Sequence, residues 1–125
     1  MKSGLILFAH GARDPRWAAP FEAVAAQVRA ARPDVPVSLA FLEFMSPSLP
    51  QAAAALVAAD CQLLQVLPMF LGAGGHVRKD LPLLLNAVRE SHPGVQVELA
   101  AAIGEIDAVT RAMAAVALDL VGPAT

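Results

Sequence analysis

The chain has 125 residues, nine basic and eleven acidic for a net charge of −2, and is 57% hydrophobic, although 27 of its residues are alanine. That length predicts one domain, 1–125, able to bury roughly two-thirds of its unfolded surface. A near-neutral balance without a basic block argues against a nucleic-acid partner, and apolar runs far shorter than the about 20 residues of a spanning helix argue against a membrane segment.

The predicted elements alternate. Leu5 to Ala9 is a continuous apolar strand, and Phe21, Val24, Ala25 and Val28 then fall at i, i+3, i+4, i+7, the stripe of an amphipathic helix. Val35 to Leu42 reads as a second strand. Ser46-Pro47 reads as a cap with proline at the first helical position, opening a helix through Leu49, Ala53 and Leu56. Leu63 to Met69 is a third strand. Leu81, Leu84, Leu85 and Val88 form the next helical stripe, started by Asp80. After the His92-Pro93-Gly94 turn comes a fourth strand, Val95 to Ala100, and a last helix carrying Ile106, Val109, Met113, Val116 and Leu120. Such alternation predicts a (βα)4 unit of α/β class: a single four-stranded, mostly parallel sheet with helices on both faces.

Met1-Lys2-Ser3 leads into only Leu5 to Ala9 before His10, too short for a secretory segment. A lone Cys61 cannot form an internal disulfide. Both features lead to the expectation of a cytoplasmic protein.

In open α/β sheets ligands bind beyond the carboxyl ends of the strands. Strand one ends in His10-Gly11-Ala12-Arg13-Asp14-Pro15-Arg16-Trp17, strand two at Glu43, and strand three in Gly72-Ala73-Gly74-Gly75-His76-Val77-Arg78-Lys79-Asp80. Two of three histidines, an isolated carboxylate and four basic residues therefore share one edge. Each has a plainer reading. His10 could be a turn residue bonded to backbone, His76 an incidental histidine in a flexible connector, and Glu43 a strand-end residue reaching solvent. Arg13, Arg16, Arg78 and Lys79 could simply solvate a surface. Their convergence favours a site. His92 lies at the opposite edge and Cys61 reads as core filler. Two neutral imidazoles and a carboxylate suit a borderline divalent metal such as Co²⁺, Fe²⁺, Ni²⁺ or Zn²⁺. Ligands this few and this dispersed describe an open site rather than a closed structural one.

The chain resembles the short sirohydrochlorin cobaltochelatases and ferrochelatases of the CbiX type over nearly its whole length. The resemblance rests on His10-Gly11-Ala12-Arg13-Asp14-Pro15, on Leu42-Glu43 with Ser46-Pro47-Ser48-Leu49, and above all on the run from Pro68 to Pro82. The family often has serine where this chain has Ala12, and the chain has neither a histidine-rich tail nor a cysteine cluster. The resemblance implies a chelatase-like (flavodoxin-like) fold and insertion of a divalent metal, Co²⁺ first and Fe²⁺ or Ni²⁺ next, into sirohydrochlorin or a similar tetrapyrrole. The metal would be a substrate, with no permanently bound cofactor. His10 and His76 would be metal ligands and Glu43 their catalytic acidic partner, as proton acceptor or as part of the metal shell. Arg13, Arg16, Arg78 and Lys79 would clamp substrate carboxylates, with Phe44, Met45 and Phe70 against the ring. Four strands offer a small shelf for a macrocycle, so a homodimer is expected to supply the second wall.

Three other functions compete. A non-catalytic metal carrier could use the same histidines. A histidine phosphatase would need an arginine where Ala9 stands before His10. A flavodoxin-like binding domain would need a Ser/Thr-rich loop after strand one.

Overall fold

The computed structural model describes residues 1–72 and 74–124, the side chain of residue 76 excepted. Strands β1 (Ser3–Ala9), β2 (Val37–Phe41), β3 (Leu63–Pro68) and β4 (Gln96–Leu99) form one parallel sheet in the order β2-β1-β3-β4. Helix α1 (Ala19–Ala31) joins β1 to β2, α2 (Leu49–Ala58) joins β2 to β3, α3 (Gly75–Ser91) joins β3 to β4, and α4 (Asp107–Val121) follows β4. The single parallel sheet with helices on both faces is the expected architecture.

Strand alternation decides which side chains meet which helices. Ile6, Phe8, Leu64, Val66 and Val97 face α2 and α3, where they pack with Leu49, Ala53, Leu56, Leu81, Leu85 and Val88 in the main core. The opposite face carries Leu39, Phe41 and Ala9, packed against Trp17 and Phe21 beneath α1. Burying the larger of these side chains, the Val, Leu, Ile and Phe each worth about 1.5–3 kcal/mol, drives the layering.

Two helix starts differ from the sequence expectations, each for a local reason. Helix α2 is capped by Ser48 rather than Ser46: the Ser48 hydroxyl accepts from the Gln51 N–H, and the Gln51 side chain accepts from the Ser48 N–H. This reciprocal pair satisfies two donors that the first turn would otherwise orphan. Helix α3 begins at Gly75 with Gly74 as its cap, well before Asp80, because Val77 extends the apolar stripe by one turn. Helix α4 forms where its periodicity predicts, but its apolar stripe faces solvent: Met113 is 44% exposed, Val116 65% and Leu120 87%.

Candidate functional site at the carboxyl edge of the sheet

Strand β1 delivers His10 to the carboxyl edge in one step, because Ala9 is the last strand residue and is fully buried. The His10 side chain is exposed, and its ring lies on Phe70, with centroids 4.2 Å apart and planes inclined by 34°. Phe70 is buried and also meets Phe8 at 5.9 Å. The buried ring thus gives the exposed imidazole a fixed seat, one way to hold a ligand's rotamer before it binds.

The loop after β2 folds over the same point. Leu42 N–H donates to the Ala9 carbonyl at 2.9 Å and Glu43 N–H to the His10 carbonyl at 3.0 Å. These bonds extend the β1–β2 pairing past the strands and set Glu43 beside His10 along the edge. Gly11 makes the approach possible: its φ is +91°, and a Cβ there would collide with the Glu43 carbonyl oxygen. The loop closes at its base, where the Phe41 N–H donates to the Pro47 carbonyl at 2.9 Å.

Phe44 sits at the tip of this loop with φ 66°, inside a three-residue turn closed by the Met45 N–H on the Glu43 carbonyl at 2.8 Å. A bulky residue seldom adopts that conformation, which costs about 1–3 kcal/mol. The turn holds the aromatic ring outward, 59% exposed, and the Arg13 guanidinium lies 5.1 Å from the ring centroid. Met45 is half-buried against the α1-side cluster.

The remaining basic residues divide. Arg16 is bound to Asp14 through three side-chain hydrogen bonds, the shortest of them, at 2.9 Å, being the ion pair, and Asp14 also caps the 3-10 turn Pro15–Ala18 by accepting from the Arg16 N–H. The Arg16 hydrogen bonds hold the Asp14 carboxyl below its ordinary value and raise the guanidinium above its own. Arg78 and the exposed Lys79 lie in the first turns of α3, which opens at the same edge. Arg78 lines a cavity of about 250 Å³ with Phe70, Val77, Leu81, Pro82 and Glu105. His76 is the second residue of α3, so its backbone belongs to this edge, while its side chain lies outside the described residues. Among the described residues no three His, Cys, Asp or Glu side chains cluster to hold a metal.

The strand ends thus bring His10, Glu43, Phe44, Arg13 and Phe70 together in one place. Phe70, expected against a substrate ring, is instead buried under the imidazole. The exposed apolar groups here are Phe44 and Leu71, the latter 72% exposed and not anticipated from sequence. Gly104 was not anticipated either. Its N–H donates to the Phe70 carbonyl at 3.0 Å, and a Cβ on it would run into the Leu71 backbone, so the turn Ile103–Glu105 clamps the Phe70–Leu71 segment.

The family described as CbiX matches residues 4–119. The chain belongs to the CbiX family. Its match to the sirohydrochlorin cobaltochelatase of Methanocaldococcus jannaschii is 30% identical over 88 residues, spanning 70% of this chain but only 62% of that protein. The putative cobalamin biosynthesis CbiX protein of Marinobacter aquaeolei superimposes with a TM-score of 0.84 at 30% identity, covering 95% of this chain and 97% of that one. SirB from Bacillus subtilis with Fe³⁺ superimposes with a TM-score of 0.81 at 25% identity, over 98% of this chain and 49% of that one. Membership in the CbiX family agrees with the resemblance seen in the sequence.

Proposed function

We propose that this CbiX-family chain is a chelatase that inserts a divalent metal into sirohydrochlorin, with Co²⁺ as the first choice and Fe²⁺ or Ni²⁺ next. The observation that carries the reading is the bonding of the Glu43 backbone to the His10 backbone at the carboxyl edge, with both side chains exposed. The name of the methanogen relative, sirohydrochlorin cobaltochelatase, supports the substrate and the metal.

Insertion replaces two pyrrole N–H protons with one M²⁺, so the site must hold a partly hydrated ion and accept protons. In this reading His10 and His76 hold the metal, which is a substrate, and leave positions open for pyrrole nitrogens. Glu43 accepts a proton. Phe44 presents its ring to the macrocycle, with Met45 supporting the loop beneath it. Arg13, Arg78 and Lys79 meet the carboxylates of the substrate, and Arg16 does so only by leaving Asp14. Phe70 acts through His10 by holding the imidazole.

The working unit in this reading is a homodimer. A cavity of about 250 Å³ beside the site is below the roughly 300–1,000 Å³ of small-molecule pockets, and a tetrapyrrole needs more room than that. SirB fits this unit over 49% of its own length, which leaves space in that chain for a second body of similar size. The buried, unpaired Cys61 supports a reducing compartment, the cytoplasm. No helix among the described residues is long and apolar enough to cross a membrane.

Purified protein mixed with sirohydrochlorin and each metal in turn tests the activity by absorbance. A metal-dependent spectral change accelerated by the protein is the expected result. Metal binding with no acceleration would assign the chain to metal carriage instead.

A further inference from the structure

Past the strand ends the chain crosses itself twice in the same way. β1 and β3 pair from Ser3 opposite Leu63 to Phe8 opposite Pro68, and continuing that offset sets His10 opposite Phe70, whose rings are in contact. The same offset carries Arg32-Pro33 onto His92-Pro93. It also carries the bond from Arg29 to the Val37 carbonyl onto that from Arg89 to the Val97 carbonyl, both at 2.8 Å. The half β1-α1-β2 thus recurs as β3-α3-β4.

At the carboxyl edge the two halves make matching bonds with different residues. In the first the Glu43 N–H donates to the His10 carbonyl, and in the second the Gly104 N–H donates to the Phe70 carbonyl, each at 3.0 Å. Both crossings bring two backbones too close for a Cβ on one of them. The glycine that permits this is Gly11, beside His10, in the first half and Gly104, on the returning segment, in the second. The first crossing presents an imidazole and a carboxylate. The second has a buried phenyl ring and no side chain opposite it, so neither Phe70 nor Gly104 can hold a metal or move a proton. What the second crossing touches is the first: the Phe70 ring lies 4.2 Å from the His10 ring.

We propose that Gly104, in the turn Ile103–Glu105, is a positioning residue for His10, acting by fixing the backbone that carries Phe70. The proposal rests on the reading of His10 as a metal ligand and adds a support that does not itself meet the metal. The sheet ladder does not reach far enough to do this. β3 ends at Pro68, and its pairing with β1 extends to the Met69 N–H, which donates to the Phe8 carbonyl at 2.7 Å. Phe70 lies beyond that bond, and there the Gly104 N–H takes over. A seated imidazole has less rotamer freedom left to lose when it captures an ion, which is the benefit of holding an exposed ligand in place.

Phe70→Leu keeps an apolar side chain in the core and removes the flat ring, whereas Gly104→Ala drives the Leu71 backbone away. In the metal-free protein the His10 ring protons lie against the Phe70 face, so their NMR signals are expected upfield, and both variants should move them downfield. Co²⁺ affinity, measured by titration, should fall by about 10–100-fold in each, the usual cost of losing an outer-shell support. The kcat for insertion should fall with it while KM for sirohydrochlorin stays near wild type. The double variant should bind Co²⁺ no more weakly than Phe70→Leu alone, since both changes act through one ring. Additive losses would show that Gly104 acts by another route and overturn the proposal. So would wild-type ring shifts and Co²⁺ binding in both single variants, with His10→Ala still losing the metal; that outcome leaves His10 in the site. Unchanged Co²⁺ binding in His10→Ala would instead sink the ligand reading beneath the proposal. Hydrogen exchange at the Gly104 amide reads the clamp in the wild type without any substitution: slow exchange is expected, and exchange as fast as in an open turn would remove the clamp.

Discussion

At the scale of single residues, the proposed chelatase activity asks different things of His10, Glu43 and Phe44. His10→Ala should abolish metal insertion and leave the fold intact, since the side chain is exposed and its loss opens no core cavity. Wild-type turnover with Co²⁺ in that variant would remove His10 from the site. Glu43→Gln keeps the shape of the side chain and its backbone bond to His10, so only proton acceptance is lost. Turnover should fall by about 10²–10⁴-fold, the usual contribution of a base within reach, and equilibrium binding of Co²⁺ to the protein should change little. Phe44 offers a test with an unusual sign. In the middle of a helix or strand glycine is less stable than alanine by roughly 0.5–1 kcal/mol. At φ 66° alanine keeps the backbone strain and glycine does not, so Phe44→Gly should be about 1 kcal/mol more stable than Phe44→Ala in urea denaturation. Both variants lose the ring beneath Arg13 and should show the same rise in KM for the tetrapyrrole.

At the scale of elements, what could be read from sequence depended on whether the signal was local. The apolar run of β1 announces itself because its residues from Ile6 to Ala9 are buried on both faces, and that of β3 because only Gln65 interrupts it. Both Ser46-Pro47 and Ser48-Leu49-Pro50-Gln51 offer a serine before a proline, and only the second also offers glutamine three residues on. That reciprocal cap decides the start of α2. Ser48→Ala should therefore cost about 1 kcal/mol of stability by thermal or urea unfolding, while Ser46→Ala should stay within roughly 0.5 kcal/mol of wild type. Equal losses would mean that the cap is shared. Other features depend on contacts distant in sequence. The seat under His10 needs Phe70 from the loop after β3, and the clamp on Phe70 needs Gly104 from beyond β4. Neither spacing nor periodicity reports on such pairs, so His10, Glu43 and the basic residues were legible as an edge while their supports were not. The stripe on α4 was legible too, but periodicity shows that a helix has an apolar face and does not say what covers it.

At the scale of the whole molecule, a site on the open end of a four-stranded sheet has one wall. In the proposed reaction, a macrocycle that gives up two protons while receiving an ion would need shielding from water on its other side, because the electrostatic attraction between metal, imidazole and carboxylate weakens as the local dielectric rises. A second copy would provide that shielding. Folding and association should then be one process. For a dimer that unfolds to two separate chains, stability depends on concentration, and each tenfold dilution removes about 1.4 kcal/mol. For a unit of two such chains that corresponds to a fall in melting temperature of roughly 3–6 °C per decade. Thermal unfolding across two decades of protein concentration should show this slope, and specific insertion activity should decline over the same range as dimers dissociate. A melting temperature independent of concentration, with constant specific activity on dilution, would describe a chain that works alone, its single wall sufficient for the macrocycle.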